Sequence, residues 1–169
     1  MARLTKEFFT QNALELAPML IGKLLFRKIG KEIIKLRITE TESYYGTEDT
    51  ACHAHKGKTE RTEPMFSEGG ITYIYLCYGM YNMLNIVSGK KDNPEAVLIR
   101  GVEGFNGPGK LTKALNITRD LNTIDLCKSK ELWIEDDGII LEYKTTPRIG
   151  ISYASQEYRN KEWRFVVKN

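Results

Sequence analysis

The sequence has no apolar run approaching the length of a membrane-spanning helix. Its first residues, Met1-Ala2-Arg3-Leu4-Thr5-Lys6-Glu7, contain neither the apolar core nor the cleavage site of a signal peptide. These absences lead to the expectation of a soluble, cytoplasmic protein without a membrane partner. Cysteine is scarce: Cys52, Cys77 and Cys127 are odd in number and have no paired spacing, which argues against a disulfide framework and a Cys-rich zinc module. The fingerprints of several enzyme classes are missing, with no GxxxxGK[ST] or GxGxxG phosphate loop and no GxSxG elbow. Histidine occurs only at 53 and 55. With Glu48 and Asp49 these are the candidate metal ligands, but a His-x-His pair in a loop has no standard closed zinc geometry, so no metal is expected.

What is present is an ordinary globular balance. The 169 residues are 41% hydrophobic and 28% charged, enough for one domain with a core of its own. Net charge is +3. It is unevenly spread: residues 1–37 carry eight bases against three acids, whereas 38–53 carry four acids and no Lys or Arg. An acidic segment in basic surroundings fits an anionic partner with carboxylates kept for chemistry, and it equally fits ordinary solvated faces.

Periodicity predicts a helix over 10–25 with Thr10 as N-cap, interrupted by Pro18. A hairpin follows, 24–29 turning at Gly30 into 33–42. From Leu36 the chain alternates, so that Leu36, Ile38, Glu40, Glu42 and Tyr44 share one strand face. If that face stays inward, one carboxylate is partly buried and suited to acid–base work; otherwise the strand simply reaches solvent. Residues 46–66 read as a long loop, of the length that is usually functional or disordered. Strands are expected at 71–77, 82–88, 96–102, 139–144 and 163–168, with a further one at 149–153. A short helix is expected from 110 to 114 and a helix-and-loop stretch over 120–137.

Four tyrosines, Tyr73, Tyr75, Tyr78 and Tyr81, fall within nine positions on the expected 71–88 hairpin. For Tyr73, core packing is at least as good an explanation as function. Tyr78 lies at the apex, where a ring projects outward. Aromatics on a sheet face and at a tip can stack on bases or wedge between them. With a histidine and a carboxylate, the pattern suggests an enzyme acting on a base extruded from a duplex.

Two long runs carry a family likeness. They are Glu40-Thr41-Glu42-Ser43-Tyr44-Tyr45-Gly46-Thr47-Glu48-Asp49-Thr50-Ala51-Cys52-His53 and Tyr73-Ile74-Tyr75-Leu76-Cys77-Tyr78-Gly79-Met80-Tyr81-Asn82-Met83-Leu84-Asn85. Shorter matches are Met65-Phe66, Val97-Leu98-Ile99-Arg100, Gly107-Pro108-Gly109-Lys110-Leu111, Arg148-Ile149-Gly150 and Trp163-Arg164-Phe165. In this order they closely resemble the alkyladenine (3-methyladenine, methylpurine) DNA glycosylase family. The resemblance spans about residues 12–167.

The resemblance implies an α+β fold: one domain over 1–169, with a curved, mostly antiparallel sheet, surrounding helices and a protruding β-hairpin. It implies a monofunctional glycosylase of base excision repair that flips alkylated or deaminated purines and hydrolyses the N-glycosidic bond, leaving an abasic site. Glu42 is then the general base and Arg100 its partner in holding the water, with the Ile149 carbonyl helping to place it. Tyr44, His53 and Tyr75 wall the base pocket, Asn85 guards it against guanine, and Tyr78 is the wedge. Met80, Tyr81 and Met65 are further DNA contacts. No cofactor is implied. The partner is double-stranded DNA containing damaged purines; no obligate protein partner is expected, and a monomer is the default. The short N-terminus reads as bacterial-type. No lysine falls in the matched pocket motifs, which argues against a Schiff-base lyase step.

Two other readings compete. A non-catalytic nucleic-acid module would keep the basic surface and aromatic hairpin but has no need of Glu42 with Arg100. A small-molecule glycoside hydrolase would use Glu40 and Glu42 as paired carboxylates, but leaves Tyr78 without a purpose. Glu40 is better read as structural or supporting. The loop 56–64, with Thr62-Glu63-Pro64, departs most from the family pattern.

Overall fold

β-Branched and aromatic residues concentrate in a few short stretches, and these form the sheet. The structure, a computed structural model, describes residues 1–169. Ten strands are present: β1 (Ala2–Arg3), β2 (Leu24–Ile29), β3 (Glu32–Tyr45), β4 (Thr72–Cys77), β5 (Tyr81–Val87), β6 (Glu95–Val102), β7 (Phe105–Asn106), β8 (Leu132–Asp136), β9 (Tyr143–Thr146) and β10 (Arg164–Val167). Four helices accompany them: α1 (Lys6–Phe9), α2 (Ala13–Leu20), α3 (Pro108–Ala114) and α4 (Gln156–Arg159). The strands run β1-β8-β2-β3-β6-β5-β4 across one open sheet, with β10 added to β3 and β9, and β7 to β6. All strand pairings are antiparallel, and the class is α+β, as expected.

The 14-residue β3 is the spine. Its first half pairs with β2, while Glu40–Glu42 lie between β6 and β10. Its alternation does not persist along its length. Ile34, Leu36 and Ile38 pack on the main core. The register with β6 then slips on either side of Glu40: Ile38 faces Val102, Glu40 faces Gly101 and Thr41 faces Ile99. Thr39 and Arg100 are the extra residues of this bulged stretch, and each strand reverses its facing there. Beyond it Thr41 and Ser43 turn to the core side, donating hydroxyl hydrogen bonds to the α2 carbonyls of Ala17 (2.9 Å) and Ala13 (2.7 Å). Glu40 and Glu42 therefore share a face, as the sequence predicts, but it is the face opposite Ile38.

The principal core joins α2 and α3 to the sheet. Leu16, Leu20, Leu111 and Leu115 are fully buried against Ile38, Leu84, Ile86 and Ile99. α3 is held at its C-terminal end by the buried Arg27, whose guanidinium donates to the carbonyls of Leu115 (3.0 Å) and Asn116 (3.1 Å), the groups a helix end leaves unpaired.

Several expected elements differ. The helix expected over 10–25 is confined to α2, with the separate α1 ending just before it at Phe9 and Leu24 already in β2. Thr10 closes α1, and Asn12 caps α2 by accepting from the Glu15 N–H at 3.0 Å. Pro18 is retained in the last turn of α2. The stretch 120–137 yields a 3-10 turn at Arg119–Leu121 and strand β8 instead of a longer helix. The strand expected at 139–144 begins only at Tyr143, because Ile139 and Ile140 are exposed and unpaired. No strand forms over 149–153.

Candidate active site

A cavity of about 760 Å³ opens on the sheet face to which the bulge directs Glu40 and Glu42. Its lining includes Tyr44 from β3, His53 and Met65 from the 46–66 loop, Tyr73 and Tyr75 from β4, Asn85 from β5, Arg100 from β6 and Ile149. Tyr78 and Tyr81 line its rim beside Pro108 and Gly109 of α3. Gly109 is required for this closeness, since a Cβ there would lie 2.6 Å from the Tyr81 ring.

Glu42 lies fully buried behind that lining. Its Oε1 accepts from the Tyr44 hydroxyl at 2.9 Å and its Oε2 from the Ile149 N–H at 2.7 Å. Tyr44 reaches it because residues two apart on a strand share a face. Arg100 Nε stands 3.7 Å from Oε2, too far for a direct hydrogen bond. A carboxylate has about four acceptor positions, so both oxygens keep capacity. Burial pushes the Glu42 carboxyl above its ordinary range, and the charge of Arg100 and the Ile149 N–H hold the rise back.

The aromatic wall is continuous. The His53 imidazole lies 4.5 Å from the Tyr75 ring, and Tyr73 and Tyr75 are 5.5 Å apart, centroid to centroid. His53 Nδ1 shares a 2.9 Å hydrogen bond with the Tyr73 hydroxyl. Burial, reinforced by the nearby positive charges of Arg61 and Lys56, lowers the His53 pKa to about 4, so its ring is neutral near pH 7. Asn85 is nearly buried, its amide held by a long bond to the Met83 carbonyl (3.4 Å). Tyr73 serves both core packing and the site: it is buried, and its hydroxyl orients the histidine.

The hairpin tip differs in character. Tyr78 is 87% exposed and Met80 68%, while Tyr81 is half exposed. Tyr78 and Gly79 both adopt positive φ (53° and 65°), and the Met80 N–H closes the turn on the Cys77 carbonyl at 3.0 Å. This is the primed geometry that fits a twisted hairpin, with glycine supplying one of its two left-handed positions. Met65, expected to touch DNA, is only 2% exposed and packs with Cys52, Ala54 and Tyr73, so it shapes the cavity wall.

One part of the site was not foreseen. Arg148 and Asp49 form a fully buried bidentate ion pair, with distances of 2.7 and 3.0 Å. The guanidinium lies between the rings of Tyr44 (5.0 Å) and Trp163 (4.9 Å) and donates to the Ser43 carbonyl. Asp49 in turn accepts from the N–H groups of Tyr45 and Ala51. The pair thus ties the end of β3, the loop after it and the segment carrying Ile149 into one unit. Asp49 is committed to this pair, and no group of three His, Cys, Asp or Glu side chains is arranged to hold a metal. In the divergent loop, Thr62 is buried and bonds Thr59 and the Gly57 carbonyl, while the Arg61 guanidinium rests 5.3 Å from the Tyr75 ring centroid.

The family model of methylpurine-DNA glycosylase (MPG) matches residues 7–106 and 104–169, nearly the whole chain. The chain belongs to the methylpurine-DNA glycosylase family. Relatives provisionally named 3-methyladenine DNA glycosylase agree. One from Borrelia garinii subsp. bavariensis is 45% identical over 96% of this chain and 94% of its own. Another from Methanocella arvoryzae is 42% identical, covering 98% and 92%, and one from Clostridium novyi is 41% identical, covering 100% and 96%. As a methylpurine-DNA glycosylase, the chain is a hydrolase of N-glycosyl bonds that serves DNA repair. The family's two long motifs meet at the cavity: the β3 motif supplies Glu42 and Tyr44, and the β4–β5 motif supplies Tyr75, Tyr78 and Asn85.

Proposed function

We propose that the protein flips an alkylated purine out of duplex DNA into the 760 Å³ cavity and hydrolyses its N-glycosidic bond with water activated by Glu42. The observation that carries the reading is a buried carboxylate with acceptor capacity behind an aromatic cavity, beside an exposed tyrosine-tipped hairpin. Tyr44, His53 and Tyr75 wall the base, with Asn85 screening its edge. Arg100 and the backbone at Ile149 hold the water where Glu42 takes its proton. The raised Glu42 pKa brings the base closer to working pH, and its ionised form also stabilises the positive charge developing on the sugar.

The pocket chemistry favours a cationic base such as 3-methyladenine. Electron-rich rings attract it, and a neutral His53 adds no opposing charge. Such a base leaves neutral and needs no proton. A neutral purine needs a general acid, and His53, with a pKa of about 4, is not protonated near pH 7. Binding rests on phosphate contacts and falls steeply with salt. One molecule suffices, because one side of the duplex carries the chemistry.

The direct test is release of free base from a methylated duplex at low salt. Release of 3-methyladenine supports the reading; tight, salt-sensitive binding with no release supports a non-catalytic module. Within it, Tyr78→Ala should slow single-turnover excision from duplex by roughly tenfold or more, since a few kcal/mol of unstacking then lacks a compensating wedge. Non-specific affinity should be nearly unchanged, and excision from a single strand, where nothing need be unstacked, less affected. Equal excision from duplex by wild type and variant would remove Tyr78 from the flipping step.

A further inference from the structure

Glu40 stands beside Glu42 on the cavity-directed face, and two like charges so placed need a cation. Arg100 serves both, but unequally: its Nε donates to Glu40 Oε1 at 3.1 Å and stays 3.7 Å from Glu42 Oε2. Glu40 is braced from the other side by Arg164 of β10, whose Nε bonds the same Oε1 and whose Nη1 donates to Thr146. Arg164, Glu40 and Arg100 are all largely buried. Neither Nη nitrogen of Arg100 has a hydrogen-bond partner in the protein, and Arg100 lines the cavity. Room for this arrangement comes from the bulge and from Gly101, where a Cβ would stand 3.2 Å from Glu40 Cβ and 3.1 Å from Thr39 Oγ1.

We infer that Glu40 is a positioning residue: by holding the Nε edge of Arg100 it keeps the guanidinium from closing on Glu42 and leaves its outer nitrogens to the cavity. Guanidinium and carboxylate otherwise favour a bidentate pair, which would occupy the acceptor positions Glu42 needs for water. The inference rests on the reading of Glu42 as the base. The charged or titratable groups facing Glu42 are Tyr44 on its own strand, Tyr75 on β4, Arg100 on β6, and Arg148 and Tyr153 on either side of Ile149. Arg164 lies opposite Glu42 in the β10 register but is engaged by Glu40 and Thr146.

The experiment is single-turnover release of 3-methyladenine from methylated duplex across pH, for wild type, Glu40→Gln, Glu40→Asp, Arg164→Gln and Glu42→Gln. Glu40→Gln keeps size and polarity. It should lower the plateau rate about 10- to 100-fold, the scale of an ångström-level misplacement. It should also move the acid limb to lower pH, because Arg100 turns to Glu42 and a like charge is lost. Glu40→Asp keeps the charge but shortens the reach, so it should lower the plateau with a smaller pH displacement. Arg164→Gln leaves the Glu40–Arg100 bond and should cost less than threefold. Affinity of all variants for undamaged duplex should not fall. A wild-type plateau and acid limb in Glu40→Gln, with Glu42→Gln inactive, would overturn this inference alone. Equal losses in Glu40→Gln and Arg164→Gln without a pH displacement would reduce Glu40 to a structural anchor. Turnover by Glu42→Gln would overturn the underlying reading.

Discussion

Glu42→Gln should lower single-turnover base release by about 10²- to 10⁴-fold, the contribution of a well-placed general base, while lesion-containing duplex is still bound. Glutamine preserves the shape of the buried site. Its carbonyl can accept from the Ile149 N–H, and the Tyr44 hydroxyl can turn to accept from its amide. What disappears is the charge and the ability to take a proton. The pH dependence follows from the same group. In the proposed mechanism activity requires ionised Glu42, so release should climb with pH through its pKa and level off above it. Burial places that limb above the ordinary carboxylate range. His53 should add no step of its own near pH 6.5, because it is already neutral above about pH 4. Release rates between pH 4 and 8 check this. A limb near 6.5 that vanishes in His53→Gln would shift the proton-accepting role to the histidine.

Arg148→Met should be the most damaging change to stability, lowering unfolding free energy by about 3–5 kcal/mol, as when one partner of a buried ion pair is removed. Asp49 would be left charged and fully buried, with only the N–H groups of Tyr45 and Ala51 as partners. The Ser43 carbonyl and the rings of Tyr44 and Trp163 would lose the cation between them. Arg148→Met combined with Asp49→Leu should be milder than Arg148→Met alone, because no unpaired charge remains and the two effects are coupled. Urea unfolding of the single and double variants measures both. A loss below about 1 kcal/mol in Arg148→Met would class the pair with weak, solvated surface bridges.

Much of the architecture is legible in the chain because it depends on neighbours in sequence. Alternation marks the 24–42 hairpin, aromatic density marks β4 and β5, and the apex at Tyr78-Gly79 marks the exposed tip. What escapes depends on partners far away. The slip that reverses β3 is defined only against Arg100 and Gly101, some 60 positions later. Asp49 and Arg148 are 99 residues apart, with no local pattern to join them. The net acidity of 38–53 also misleads. Glu40 is neutralised by Arg100 and Arg164, Asp49 by Arg148, and Glu42 lies beside Arg100, so Glu48 alone of the four is exposed. Charge summed along a segment says little when arginines from other strands are folded onto it.

The bulge at Thr39 has a consequence for how such a site can change over time. The same residues laid out in an uninterrupted pleat, without the bulge, would bring Thr41 and Ser43 to the cavity and both carboxylates against α2. Every candidate side chain would survive in the sequence, yet neither carboxylate would face the cavity. The site is therefore encoded by an odd–even count as much as by its residues. A graft or chimera that transfers Glu42 and Arg100 has to carry the offset with them, as a single inheritance of 38–45 together with 97–102.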